Sequence, residues 1–248
     1  MISVIIPTYK RPNFLERALK SVQAQTVQSW EAIVIDDGNG EGIERAFSLR
    51  DARIRAYPNW GHRQTDARNT ALLRAECDYI ALLDDDDWWE DPQHLERCLE
   101  QLRRQDALVY RSGYLVTEKN MQELERLSYT LGATPKSLES DNSLLVSGVA
   151  YPRKFHDELG GFDDRMGHYW DWDWYLRVVE AGYPLLEVEG PGVCIALHES
   201  NASGEHQNLL ERASDLNRLC QKHGLEGIKL KNHHSLLLEG EPELYSGA

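Results

Sequence analysis

The stretch Tyr79–Trp89, YIALLDDDDWW, decides the reading of this chain. Tyr79 to Leu83 is a short apolar run with no polar alternation, the pattern of a strand buried on both faces of a parallel sheet. Four consecutive aspartates follow, Asp84 to Asp87, just past the carboxyl end of that strand. Open α/β sheets bind their ligands there. Two unit charges about 4 Å apart repel by roughly 4 kcal/mol at an effective dielectric near 20. Four adjacent carboxylates are therefore tolerable when they are well solvated or hold a cation. Hard oxygen ligands suit Mg²⁺ or Mn²⁺, and those ions suit phosphate-bearing substrates. In extended chain Asp84 and Asp86 point one way and Asp85 and Asp87 the other, so about half can face one metal unless the chain turns. The plainer alternative is a solvated acidic loop that caps a helix.

Upstream, Ser3 to Ile6 is predicted as a buried strand stopped by Pro7, followed by the polar loop Thr8–Tyr9–Lys10–Arg11–Pro12. Asn13 with Glu16 resembles a capping box, and Leu15, Ala18, Leu19 and Val22 recur at helical spacing. Ala32 to Ile35 is the next strand, ending in Asp36–Asp37–Gly38. A helix near residues 42–49 and a strand at Ile54 to Tyr57 complete a β-α-β-α-β order, which calls for a parallel sheet with right-handed crossovers. No Gly-x-Gly-x-x-Gly follows the first strand, so an ordinary dinucleotide fingerprint is missing. Asp66 is predicted to cap a helix through Arg74, with Arg68 and Asn69 in its first turns, facing a ligand.

Downstream, Asp91–Pro92 reads as a helix start, with Leu95, Leu99 and Leu102 as the buried stripe. Ala107 to Val116 is strand-like. Glu118 to Asn142 is polar and weakly patterned, and is predicted as a helix and a lid-like loop. Leu144 to Tyr151 returns to strand character, and Phe155 to Leu159 is a short helix stopped by Gly160–Gly161. A second dense stretch, His168 to Arg177, places three tryptophans and two aspartates at the front of a helix ended by Gly182. Flat aromatic faces with interleaved carboxylates suit a sugar site. The competing reading makes the aromatics core and the acids helix caps. Val193 to Leu197 is a strand leading to His198, and a helix from about residue 206 to 223 closes the fold. The expected organisation is one domain over residues 1–223, in halves 1–117 and 118–223, with a tail over 224–248.

Acids outnumber bases 41 to 27, for a net charge of −14. That argues against a nucleic-acid binder, which shows a basic patch. The four cysteines are far apart and define neither a zinc site nor a disulfide framework. No run approaches the roughly 18 apolar residues of a membrane span, and the amino terminus lacks the pattern of a signal peptide. A cytoplasmic protein is expected, with peripheral membrane association left open.

The opening SVIIPTYKRPNFLERALKSVQAQT, then VIDDG, ARN, LLDDDDWW, GGFDD, WDWDWYLRV and ALHES resemble, in order, glycosyltransferase family 2, which has the GT-A fold: a Rossmann-like, mostly parallel α/β sheet flanked by helices, with a C-terminal acceptor-side region. The resemblance covers roughly residues 1–200. It implies a nucleotide-sugar donor (UDP-, GDP- or dTDP-linked), a divalent metal, inversion at the anomeric carbon, and a glycan or lipid-linked acceptor. On this resemblance Pro7, Thr8, Tyr9 and Arg11 border the nucleotide, and Asp37 accepts from the base. Arg68 lies near the nucleotide, with Asp84 or Asp85 near the ribose. Asp86 ligates the metal, and His198 lies beside it. Asp171 falls on the position of the catalytic base, with Arg177 on the family's arginine. Here the usual Glu-Asp pair is Trp170–Asp171, a departure that leaves Asp173 as a second candidate. Trp170, Trp172 and Asp173 are expected on the acceptor side.

The chemistry agrees with this division. An inverting transfer needs one carboxylate to take the acceptor proton and a cation to stabilise the leaving diphosphate. A glycoside hydrolase generally needs paired carboxyls flanking the bond. A nucleotidyltransferase usually has a glycine-rich loop after the first strand, where this chain has PTYKRP. A phosphatase with an aspartate nucleophile would place its acids after the first strand rather than the fourth. A non-enzymatic sugar-nucleotide-binding protein on the same fold is the remaining alternative.

Overall fold

The computed structural model describes residues 1–59, 61, 63–129, 132–198 and 209–228. The predicted start of the last helix and most of the tail lie outside the described residues. The elements in order are β1 (Ile2–Thr8), α1 (Pro12–Gln23), β2 (Trp30–Asp36), α2 (Glu41–Ser48), β3 (Ile54–Pro58), α3 (Gln64–Leu72), β4 (Tyr79–Leu82), β5 (Trp88–Trp89) and α4 (His94–Leu102). Then come β6 (Leu108–Lys119), β7 (Gln122–Tyr129), α5 (Pro135–Leu138), β8 (Ala150–Pro152), α6 (Phe155–Leu159), α7 (Trp170–Glu180), β9 (Leu185–Leu197) and α8 (Leu209–His223).

The strands form one sheet in the order β3-β2-β1-β4-β8-β6-β9-β5, with β7 added to β6. β1, β2, β3 and β4 are mutually parallel, and β6 runs parallel to β9. Every residue of β1 and β2 is buried, as expected for strands covered by helices on both faces. One apolar layer joins Ile5, Ile33, Leu82 and the aromatics of α7. The other joins Val4, Val34 and Ala81 to Leu15 and Leu19 of α1 and Leu95 and Leu99 of α4.

This order positions the site. From β1 the chain crosses to β2 and β3 on one side, then returns to β4 on the other. The carboxyl ends of β1 and β4 therefore flank a topological switch point, where open α/β sheets form their ligand crevice. Thr8 ends β1 and Asp84 follows β4, so both reach that crevice.

Several local predictions are corrected. The segment 118–142 contains the strand β7, paired with β6 across a bulge at Thr117/Glu118. Its exposed pattern reflects an outer strand, so no apolar alternation announces it. Residues 144–151 are mostly a turn, with one 3₁₀ turn at Val146–Gly148 before the short β8. Trp88–Trp89 pair with β9 as a strand. The Asn13/Glu16 capping box is not formed, because α1 starts at Pro12 and Glu16 pairs with Lys20 and Arg45. Asp66 lies in the first turn of α3 rather than at its cap. Asp91 precedes α4 by a turn, accepting from the Gln93 N–H at 2.8 Å.

Candidate active site

The four aspartates do not stay extended. The Asp87 N–H donates to the Asp84 carbonyl at 3.2 Å, and this turn brings oxygens of Asp84, Asp86 and Asp87 within 4.8 Å of one another. Ser147, on the 3₁₀ turn, fixes it from the side: its Oγ accepts from the Asp84 N–H at 3.0 Å and donates to Asp87 Oδ2. Asp87 Oδ1 accepts from the Ala196 N–H at 3.0 Å. Both Asp87 oxygens are thus engaged, and that contact ties the end of β9 to the turn. Two residues later His198 Nε2 stands 3.2 Å from Asp86 Oδ2, its ring stacked on Phe14 of α1 at 4.7 Å.

Two arginines offset part of the acidic charge. Arg11 reaches Asp85 Oδ1 at 2.7 Å and Asp86 Oδ2 at 2.5 Å. Arg68, 1 % exposed on α3, pairs with Asp84 and stands over the Trp170 ring. Burial pushes the Asp84 and Asp87 carboxyls up and Asp85 up to about 7, against the pull of Arg11. Burial also raises Asp86, but the His198 hydrogen bond and the Arg11 charge outweigh it and hold Asp86 below the usual carboxylate range. An excess of negative charge packed into one turn, with Asp86 held ionised, fits a hard divalent cation. Asp84, Asp86 and Asp87 form the cluster close enough to share such an ion, with His198 beside Asp86 and both Asp87 oxygens hydrogen-bonded to the protein.

The remaining expected donor-side residues fall around this crevice. Pro7 and Thr8 close β1, and the Thr8 hydroxyl donates to Asp85 Oδ2 at 2.7 Å. With Arg11 on its other oxygen, Asp85 is 1 % exposed and fastens the β1 loop to the acidic turn. Tyr9 is exposed beside the crevice. Asp37 accepts from the Asn59 amide at 3.0 Å. Its neighbour Asp36, buried at the end of β2, accepts from the Gly38, Gly42 and Ile43 N–H groups and shapes the entry to α2.

Asp171 lies in the first turn of α7, 8 % exposed. Asn142 Nδ2 donates to its Oδ2 at 2.8 Å. Burial raises its carboxyl above the usual range, opposed by the Asn142 hydrogen bond. Asp173 differs. Fully buried, it is ringed by Arg177 at 2.9 Å, Lys222 at 2.5 Å and His223 at 2.9 Å. These cations hold it below the usual carboxylate range despite burial, and they tie α7 to α8. Trp170 and Trp172 are buried in the core: Trp170 packs on Phe162, and Trp172 Nε1 donates to the Leu138 carbonyl at 2.7 Å. Arg177 also donates to the Leu159 and Gly161 carbonyls, both at 2.8 Å, closing the Gly160–Gly161 turn. Asn69 braces the same turn through two 2.9 Å bonds with Phe162.

Sequence reading missed Ser147, Asn142 and Arg17. Arg17 pairs with Glu118, donates to the Asp86 carbonyl at 2.6 Å, and lies 3.9 Å from the Trp88 ring centre. All three are single polar residues whose partners lie far along the chain, and no spacing rule marks them.

An α/β sheet with an aspartate turn at its switch point and a separate buried carboxylate at the start of α7 has the architecture of the GT-A class. The comparisons make this specific. Residues 3–155 match the family model described as glycosyl transferase family 2, and the chain belongs to that family of glycosyltransferases. It is 33% identical to the uncharacterized glycosyltransferase YwdF of Bacillus subtilis, over 98% of this chain and 91% of YwdF. A shorter match, 34% identical over 36% of each chain, is to the Escherichia coli UDP-Glc:alpha-D-GlcNAc-diphosphoundecaprenol beta-1,3-glucosyltransferase WfgD. The crystal structure of S. aureus TarS 1-349 in complex with UDP-GlcNAc has the same fold, with a TM-score of 0.67 at 15% identity, over 94% of this chain and 68% of that one. Among the described residues no helix is long and apolar enough to cross a membrane.

Proposed function

We propose that this chain moves a sugar from a nucleotide diphosphate donor to an acceptor hydroxyl with inversion at the anomeric carbon, and that Asp171 is the base. The observation that carries this reading is the presence of two separate acidic centres, one crowded and arginine-lined, the other a single carboxylate. The Asp84–Asp87 turn is dense, arginine-lined and holds Asp86 ionised. Asp171 is solitary, with a carboxyl raised by burial, which favours a general base working near neutral pH. Arg68 links them, pairing with Asp84 while stacked on Trp170.

The acceptor O–H gives its proton to Asp171 as its oxygen bonds the anomeric carbon. The bond from that carbon to the diphosphate breaks, and its electron pair leaves on the diphosphate oxygen. Arg11 and Arg68 are placed to offset charge near that oxygen, while Pro7, Thr8, Tyr9 and Asp37 border the nucleotide. A divalent cation (Mn²⁺ or Mg²⁺) held by Asp84, Asp86 and His198 would supply further charge neutralisation at the leaving group. The names of the relatives favour a UDP-sugar donor and a glycan or lipid-linked acceptor, met at the cytoplasmic face of a membrane.

Calorimetric titration with UDP, GDP and dTDP, each with and without Mn²⁺, tests the donor class. Metal-dependent binding of UDP is expected. No binding of any of the three would sink the donor assignment. Asp171→Asn is expected to bind donor normally and lose transfer; full turnover in that variant would remove Asp171 as the base.

A further inference from the structure

We propose that Asn142 is a positioning residue for the base, and that residues 142–147 form one strap holding the two acidic centres in register. The proposal rests on Asp171 acting as the base. Asn142 Nδ2 donates to Asp171 Oδ2 at 2.8 Å. A carboxylate with one oxygen fixed in this way presents the other in a defined direction, which proton transfer requires. At the other end of the strap, Ser147 Oγ meets the Asp84 N–H and Asp87 Oδ2, while its carbonyl accepts from Trp89 Nε1 at 2.7 Å. Five residue steps separate these contacts, so the strap spans at most about 18 Å even if fully extended.

Asn142 Oδ1 and Ser143 Oγ are enclosed and have no hydrogen-bond partner among the described residues. Ser143 is 7 % exposed. Buried polar atoms normally find partners, and those that do not concentrate at functional sites. Here the Asn142 amide is committed to Asp171 at the expense of its own carbonyl. Arg68 of α3 faces Asp171 from across the site, and Tyr169 and Tyr175 face it from its own side. Asn142 is the side chain that hydrogen-bonds the carboxylate, alongside the backbone N–H groups of Asp171 and Trp172 at the start of α7.

The test uses the full chain with UDP-glucose and UDP-N-acetylglucosamine, water serving as acceptor and UDP release as readout. Asn142→Ala removes the amide. Asn142→Asp keeps its shape, removes the N–H donor, and serves if the alanine variant fails to fold. Both are expected to bind UDP with Mn²⁺ within about twofold of the parent and to lose about tenfold or more in kcat. The acid limb of the pH profile is expected to move to higher pH, because the bond that favoured the charged carboxylate is gone. Carboxyl ¹³C NMR of Asp171 should show the same upward displacement without turnover. An unchanged kcat and acid limb in a folded Asn142 variant would overturn the proposal, as would equal losses of UDP binding and kcat. If Asp171→Asn releases UDP as fast as the parent, the base assignment itself fails, a result separable from the Asn142 arm.

Discussion

The Arg68 guanidinium carbon lies 4.1 Å from the centre of the Trp170 ring, while the same side chain is ion-paired to Asp84. A cation is thereby held over the ring of the residue that precedes Asp171 while it pairs with the acidic turn. The two halves of the site meet at this one side chain.

Arg68→Met should therefore separate the halves. Removing one partner of a buried pair leaves a carboxylate uncompensated, and because Asp84 keeps some solvent exposure the expected loss is about 2–3 kcal/mol. Urea denaturation measures it. Arg68→Lys should recover part of the stability but little nucleotide affinity, since an ammonium does not reproduce the planar stack. Equal affinity in the lysine variant would show that charge alone matters there.

Asp86 and Asp87 are neighbours with different jobs. Asp86→Ala should abolish metal-dependent nucleotide binding with a small change in stability. Asp87→Ala should unfasten Ser147 and Ala196 and cost about 2–4 kcal/mol. Calorimetry and chemical denaturation on both variants distinguish the roles. A reversed pattern would show that the ligand set is misassigned.

His223 lies between Asp173 at 2.9 Å and Glu180 at 2.7 Å. Burial lowers its affinity for a proton, but the two carboxylates outweigh this and raise its pKa above the usual histidine range. Its contribution is therefore fully present below about pH 6.5 and lost as pH rises through the raised folded value. Asp173, held low, contributes above about pH 3.9, and that share is lost as pH falls through its depressed folded value. His223→Gln should lower stability by about 2 kcal/mol at pH 6 and flatten the decline on the alkaline side. Stability–pH curves of both proteins that run parallel would show that the pair does not bind α8 to α7.

Gly113 lies where β6 meets β9 at Val193. A Cβ at that position would stand 2.1 Å from the Val193 carbonyl oxygen. Gly113→Ala should cost about 3 kcal/mol or prevent folding, because the obstacle is backbone and cannot rotate away. A melting temperature within a few degrees of the parent would show that the strands shift apart easily.

Much of the architecture was legible because it is local. Apolar runs of four or five residues mark β1, β2 and β4, helical spacing marks α1 and α4, and their alternation requires a parallel sheet. β7 was not legible. As an outer strand with most residues exposed, it carries polar side chains on both faces and lacks the period that burial imposes. The 3₁₀ turn at Val146–Gly148 was read as a strand because a buried apolar run has the same composition in either conformation.

The sequence by itself determined the sheet, the place of the aspartates at its carboxyl edge, and the ordered motifs of family 2. It also set out the alternatives for the acids at the start of α7 without choosing between them. Tertiary structure gave the two acids different surroundings. Asp171 accepts from an asparagine and its carboxyl is raised by burial, whereas Asp173, two residues on, is enclosed by Arg177, Lys222 and His223. It likewise decided that the four aspartates turn, that Ser147 and Ala196 claim Asp87, and that His198 reaches Asp86. The physical reason is common to all of these. A carboxylate's chemistry is set by the dielectric and charges within a few ångströms, and in this fold those come from residues 50 to 110 positions away as often as from neighbours.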